Sequence, residues 1–429
     1  MDRTVVVVDP GGSTFKYGLS GDSSPRIDIP SCVGLASSKP QDAVAETLVG
    51  SVRLSEYRED YVDVQIKPTV VRGKIVDWDG FESLLRFAED GIDCSGDGKM
   101  YMLADGVELD SKGREKAAQV FFEKFGASGV FVSKCAPLCL YANGRTTGIV
   151  LDTGGDLSSA SVVMDGFLVK NSVKVSSVAG KKLSEVMLER LENDKIKIAP
   201  RFTFSKKLNR DGTEKVTYAD APCHVSYMRY WKLALMDEMK QDICKVSPVP
   251  LNPRPVNGKG NKKAAVKPQE PAEQDPIEKQ KDEAREYSLP DGTVISAAGR
   301  LGRSIGEILL DPSGLGRPEI NTGLSALVFA SSQAISNGEQ RRDILANLVL
   351  CGGTSLVPGL VERLAVEVAS KMRGQKSRVI VSSPESRKYS SWIGGSIFGT
   401  LSSSAIGEVW VSKSEYEDQG PRIVSKKCP

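Results

Sequence analysis

The sequence predicts an α/β protein made of two related halves that face each other across a cleft. One observation is a β-branched run ending in an aspartate and a glycine pair, which occurs twice. The copies are Val5-Val6-Val7-Val8-Asp9-Pro10-Gly11-Gly12-Ser13 and Gly148-Ile149-Val150-Leu151-Asp152-Thr153-Gly154-Gly155-Asp156, and a repeated unit of this kind marks a duplicated fold. The other is helical periodicity after these strands, over Gly113 to Phe125, Lys181 to Leu191, Tyr230 to Cys244 and Pro358 to Ser370. Strands alternating with helices stack as α/β layers.

Continuous apolar strands such as Val5 to Val8 are covered on both faces, which places the glycine turn at the strand's end. A third example, Leu348-Val349-Leu350-Cys351-Gly352-Gly353-Thr354, lies in the second half, followed by Leu360, Leu364 and Val368 at helical spacing. One segment breaks the pattern. From Pro248 to Glu286 the chain carries seven prolines, the lysines Lys259, Lys262, Lys263 and Lys267, and hardly any large apolar residues. Such a composition cannot bury enough surface to offset the entropy of ordering, so 248–286 reads as a disordered Pro/Lys-rich insertion. Its lysines also weakly match a nuclear-localisation or nucleic-acid patch.

With 429 residues, 40% of them hydrophobic, the chain is long enough for two cores. Its 57 basic and 55 acidic residues leave a net charge of +2, which gives no footprint for nucleic acid or an anionic membrane. The eight cysteines are scattered without CxxC spacing, so reduced thiols are expected; Cys135 and Cys139 share a helical face and read as buried small side chains. His224 is the only histidine, which excludes any histidine-pair metal or proton-transfer site, and reads as a surface or loop residue. No run approaches the roughly twenty apolar residues of a membrane span, and the first residues lack the features of a signal peptide. The expectation is a soluble protein of the cytoplasm or cytoskeleton, with the nucleus as the alternative.

The repeated turns carry the chemistry. A strand ending in Asp-x-Gly-Gly-Ser gathers backbone N–H groups and a hydroxyl that suit a phosphate, while its Asp can hold a hydrated cation. Two such turns facing each other, with a Gly-Gly-Thr loop beside them, would clamp a polyphosphate. The alternative is that each is merely a glycine-rich turn from strand to helix.

Several segments resemble actin in order and spacing. They are Gly18 to Asp22 with Pro25-Arg26, Leu140 to Val150, Tyr287 to Gly292, Trp392 to Ser396, Ser412 to Tyr416 through Gly420-Pro421, and Ile423 to Cys428. The resemblance covers nearly the whole chain outside the insertion. It implies an actin-like ATPase fold, with duplicated ribonuclease-H-like domains flanking a nucleotide cleft. The outer lobe would comprise 1–142 and 390–429, with 31–67 as its small subdomain, and the inner lobe 143–389, with 179–317 as its small subdomain. The implied cofactors are ATP or ADP with Mg²⁺, or Ca²⁺ in its place. By position, Asp9 and Asp152 correspond to carboxylates near the metal, and Lys16 to a lysine that reaches the phosphates. Gly11, Gly12 and Ser13 form one phosphate loop, and Gly154, Gly155 and Asp156 the other. Gly180, Lys240, Gln241, Gly352, Gly353, Thr354, Leu356 and Lys388 fall where ribose and adenine are held.

The departures from the family pattern shape the functional expectation. Both loops read Gly-Gly followed by a polar residue, a one-position difference from actin, and Gln241 stands where the family has a glutamate. The family's water-positioning glutamine maps onto Cys135 and its cleft histidine onto Ser159. Between Gly34 and Arg72 no filament-contact loop is recognisable, and Arg72 itself replaces a histidine. Gly314, within Pro312 to Gly316, replaces an apolar plug, and Ser402 to Ala405 alters a partner-binding groove. The resulting expectation is an actin-related protein that binds ATP, hydrolyses it slowly, self-assembles weakly and acts among other protein subunits, with actin or an actin-related assembly as partner. Membrane and nucleic-acid partners are not expected. The alternative is a divergent true actin that polymerises with ATP hydrolysis. A small-molecule kinase on the same architecture would need a catalytic carboxylate beside a substrate pocket, and no residue offers one.

Overall fold

The computed structural model describes residues 4–38, 46–55, 57, 61–92, 98–248, 284–316, 322–371, 378–402 and 408–428. Two mixed sheets of six strands each dominate it. In the first, Val5–Pro10 lies between Thr14–Leu19, its antiparallel neighbour, and Met100–Asp105, its parallel one. Ile27–Pro30 extends one side, and Gly129–Lys134 with Val411–Ser412 the other. In the second, Gly148–Thr153 lies between antiparallel Ser158–Met164 and parallel Leu348–Cys351. The same local arrangement therefore occurs twice, with Asp9 opposite Lys16 in one copy and Asp152 opposite Ser159 in the other.

This arrangement corrects one expectation. Each glycine turn is followed by a strand, so it closes a β-hairpin and does not lead from strand to helix. The reason lies in the residues after the turn: Phe15, Lys16, Tyr17 and Gly18 are buried with extended backbone against the first strand, and aromatic residues favour such a half-covered pleat. The helices come later and cover the sheets.

Val5 to Val8 are at most 2% exposed, as a strand covered on both faces requires. The helix Ser390–Ser402 lies on this sheet, where the buried Trp392 indole donates to the Val7 carbonyl at 3.1 Å. Gly395 allows that approach, since a Cβ there would stand 2.8 Å from Val7 Cγ1. The second sheet is covered by Leu324–Ser332, Gly338–Ala346 and Leu360–Lys371, with Leu360, Leu364 and Val368 fully buried as their spacing predicts. The helix Cys135–Tyr141 joins the halves: Ala136, Cys139 and Leu140 pack with Val150, Val163, Val349 and Cys351 of the second sheet.

Helix boundaries differ from the periodicity in two places. The Gly113 to Phe125 pattern resolves into Ser111–Gln119, capped by Asp110, and a π-turn over Val120–Lys124. The Tyr230 helix starts earlier, at Val225, because His224 caps it by accepting the Ser226 amide. Residues 249–283 of the expected insertion lie outside the described residues. Its expected right-hand end belongs to the folded part, since Arg285 makes a forked ion pair with both Asp242 oxygens at 2.7 Å. Of the Ser402 to Ala405 stretch, 403–405 also lie outside. Among the described residues no helix is long and apolar enough to cross a membrane.

Candidate functional site

The ends of the two aspartate strands open into one cavity of about 550 Å³ between the sheets, within the usual range for small-molecule sites. Every site residue named from the sequence lines it. Asp9, Asp152, Lys16, Cys135 and Ser159 come from the strand ends and the bridging helix. Gly11, Gly12 and Ser13 form one side, and Gly154, Gly155 and Asp156 the other. Gly180, Lys240, Gln241, Gly352, Gly353, Thr354, Leu356 and Lys388 form the remaining wall.

The floor is acidic. Asp9 is 5% exposed and accepts from Lys16 Nζ at 3.0 Å and from Ser391 Oγ at 2.7 Å. Burial opposes the Lys16 charge, but the adjacent Asp9 carboxylate outweighs it and raises the lysine above its ordinary value. Among the described residues, no cationic side chain forms an ion pair with Asp152. Burial first, and then the like charge of Asp9, push its carboxyl up to about 6, against the weaker opposing pull of Lys16.

The two glycine turns interlock. A Cβ on Gly12 would collide with the Asp156 side chain, and one on Gly155 would collide with that of Ser13. Further bonds tie the sides together. Lys181 Nζ donates to the Gly12 carbonyl at 2.5 Å, and the Arg72 amide donates to Asp156 Oδ2. Arg72, whose φ of +54° is uncommon for a side-chain-bearing residue, is further held by a two-point ion pair with Glu108.

On the remaining wall, Thr354 Oγ1 donates to the Gly154 carbonyl at 2.7 Å, and a Cβ on Gly180 would stand 2.8 Å from that hydroxyl oxygen. Lys240 Nζ donates to Gly180 O and Ser184 Oγ, both at 2.9 Å, and to Asp237 at 2.5 Å, so it braces the wall. Lys388 pairs with Asp28 at 2.5 Å across the first sheet's edge. The sequence reading missed Lys181, Asp237 and Ser391. Lys181 and Asp237 adjoin named residues, whereas Ser391 meets Asp9 from 382 positions away and no local pattern announces it.

Cys135 and Ser159 both face the cavity. Burial, reinforced by the charge of Asp9, holds the Cys135 thiol far above its ordinary value, which favours the protonated form. Ser159 is buried opposite Asp152 in the hairpin. Neither side chain reproduces a carboxamide or an imidazole.

Farther along the interface the halves meet in an aromatic clasp. The three-stranded sheet of Glu46–Leu48, Cys32–Ser38 and Tyr61–Pro68 packs against the start of the Val225–Ile243 helix. Tyr57 stacks on Phe202 with ring centres 5.1 Å apart, and Phe202 tilts against Tyr227 at 5.2 Å. Tyr227 donates its hydroxyl to the Leu54 carbonyl at 3.0 Å, and the Ile66 amide donates to Ser226 Oγ at 2.9 Å.

The residues present fit a nucleotide polyphosphate with a divalent cation. The two glycine turns bring backbone from both sheets to one cavity, and the acid pair is incompletely balanced by Lys16. Among the described residues no three His, Cys, Asp or Glu side chains converge as a metal site, so a cation here would rest on the two aspartates. That suits Mg²⁺, which commonly takes one or two carboxylates and keeps water and phosphate for its other positions.

Comparison with known proteins agrees with the resemblance. The family model described as Actin matches residues 1–429. The chain is similar to actin-related protein 4 of Oryza sativa subsp. indica, with 28% identity over 466 residues, covering 99% of this chain and 98% of the relative. The protein of the same name from subsp. japonica matches to the same extent, and that of Arabidopsis thaliana is also 28% identical, with the same coverage.

Proposed function

Because the chain belongs to the actin family, we propose that it is an actin-related protein that keeps Mg-ATP or Mg-ADP as a lasting structural part and serves as a subunit of a larger protein assembly. The observation that carries this reading is the cavity itself. It gathers Asp9, Asp152, Lys16 and the two glycine turns at one space, and Cys135 and Ser159, onto which the family's water-orienting groups map by resemblance, line it as well.

In this reading the outer lobe is 1–142 with 390–429 and the inner lobe 143–389, with ribose and base along the Gly180, Lys240 and Gly352 wall. Bound Mg²⁺ supplies positive charge beside the two carboxylates. Asp9 and Asp152 would hold that cation, Lys16 balances the floor, and turn amides other than those of Gly11 and Gly154, which bond within their own hairpins, would bind the phosphates. Transfer of a phosphoryl group to water depends mainly on positioning the attacking water and stabilising charge. Cys135 and Ser159 give the water no suitable partner, so retention outlasts hydrolysis. The names of the rice and thale-cress relatives support an actin-related protein over a polymerising actin. A place in the cytoplasm, at the cytoskeleton or in the nucleus accords with such a subunit.

The test is the nucleotide content of protein purified without added nucleotide, released by acid and resolved by chromatography, with co-purifying chains identified alongside. One adenine nucleotide per chain together with stable partner subunits is expected. An empty chain that remains single would refute the proposal.

A further inference from the structure

We propose that the hairpin of Phe204–Leu208 and Glu214–Tyr218 takes a third strand from a partner protein, an extended segment in which carboxylate and apolar side chains alternate. The inference is independent of the nucleotide reading of the cavity.

The hairpin has two unlike faces. Its register sets Phe204 opposite Tyr218, Lys206 opposite Val216 and Leu208 opposite Glu214, so these six share one face. Ser205 opposite Thr217 and Lys207 opposite Lys215 make up the other. The first face is largely apolar: the Phe204 and Tyr218 rings meet edge to face at 6.2 Å, and Lys206 and Glu214 neutralise each other at 2.6 Å. The second is basic. Among the described residues neither Lys207 nor Lys215 has a carboxylate partner, and like charges directly opposite each other destabilise a strand pair.

Little covers this hairpin. Eight of its ten strand residues are exposed, Leu208 at 74% and Tyr218 at 47%, and among the described residues no further strand pairs with either edge. Two strands alone are marginal in water, and the unpaired edge N–H and C=O groups are a template for a third. Charge selects the occupant. Residues 192–232 hold nine Lys or Arg against five Asp or Glu, a net +4 in a chain whose total is +2. A strand with carboxylates on the Lys207 and Lys215 side turns their repulsion into attraction, while its alternate apolar side chains lie beside Leu208 and Val216. Where the hairpin ends, Tyr218 and Ala219 enter the wall of a second cavity of about 510 Å³, which Ile198, Ala199 and Met228 also line. That cavity would receive the end of the added strand, and its lysines Lys195, Lys197 and Lys232 outnumber its carboxylates Glu192 and Asp220. Nucleic acid would satisfy the charge but leave the Leu208 and Val216 side unused, so a peptide is favoured.

The experiment uses the full chain and a fluorescein-labelled synthetic peptide of alternating glutamate and valine, with binding read by anisotropy. The comparison ligands are a peptide of alternating lysine and valine and a single-stranded oligothymidine. The variants are Lys207→Glu with Lys215→Glu, which reverses the basic face, and Leu208→Ser, which trims the apolar one; all three positions are exposed. The wild type should bind the glutamate peptide, and the charge-reversed variant should bind it about tenfold or more weakly and prefer the lysine peptide. Leu208→Ser should weaken binding less. Amide exchange over 204–208 and 214–218 in the wild type should slow when the glutamate peptide is present, as strand pairing requires and a loose ionic contact does not. A glutamate peptide that fails to bind the wild type, binds without slowing this exchange, or binds the charge-reversed variant equally well overturns the proposal. So does tighter binding of the oligothymidine, which would make the basic face a nucleic-acid site.

Discussion

The side chain of Ser13 occupies the space that a side chain on Gly155 would need, and the two lie in different sheets' turns. Asp156 stands in the same relation to Gly12. Glycine is therefore required at both turns by the approach of the opposite turn. Neither has a positive φ, so the requirement is one of space.

Gly155→Ala is accordingly expected to push the turns apart. Mg-ATP affinity should fall about tenfold or more, equivalent to ~1.4 kcal/mol, as measured by calorimetric titration of nucleotide-stripped protein. Gly314→Ala serves as the control, because a Cβ there meets nothing within 4 Å. Equal affinities in the two variants would show that the turns do not contact the ligand.

Asp152 gives a pH-dependent expectation. Its folded-state pKa lies near 6, above its ordinary 3.8, so between those values the folded protein binds more protons than the unfolded chain. The stabilising contribution is complete below the unfolded value and is lost as pH rises through the folded one. At neutral pH the ionised carboxylate therefore costs the nucleotide-free protein stability, while under the proposed function it would serve the cation. Asp152→Asn should raise the melting temperature of nucleotide-free protein at neutral pH by roughly 2–4 °C and remove the gain given by Mg-ATP. Scanning calorimetry with and without Mg²⁺ decides it, and a lower melting temperature in the stripped variant would count against this account.

Self-assembly should be weak. Gly314 is exposed on a short 3₁₀ turn over Pro312–Leu315 and has no side chain to bury, whereas an apolar plug would gain roughly 1.5–3 kcal/mol per contact. Pelleting at micromolar concentration with Mg-ATP should leave the protein in the supernatant. Actin-like filaments in electron micrographs of the pure protein would contradict this.

The site was legible where its chemistry is contiguous in the chain. Asp9 to Ser13, Asp152 to Asp156 and Gly352 to Thr354 each announce themselves within five residues, and the structure gathers all three at one cavity. The hairpin character of the first two turns was not legible. It depends on whether Thr14–Leu19 and Ser158–Met164 find a strand to pair with, which is a tertiary outcome. The same holds for Ser391 against Asp9, and for Tyr227 against Leu54 across 173 positions. The buried Asp105, held by Arg114 at 2.6 Å and Lys134 at 2.8 Å, escaped for a related reason, since its partners come from different elements.

The most direct test of the central claim is single-turnover hydrolysis of ATP bound by the wild-type chain, beside a Cys135→Gln, Ser159→His double variant. Loss of a positioned proton-handling group typically costs on the order of 10²–10⁴ in rate. The wild type should therefore hold its ATP intact far longer than the variant, which should turn over faster with no loss of binding. Rapid wild-type hydrolysis that the double variant does not improve would contradict the account, because some other group would then be orienting the water.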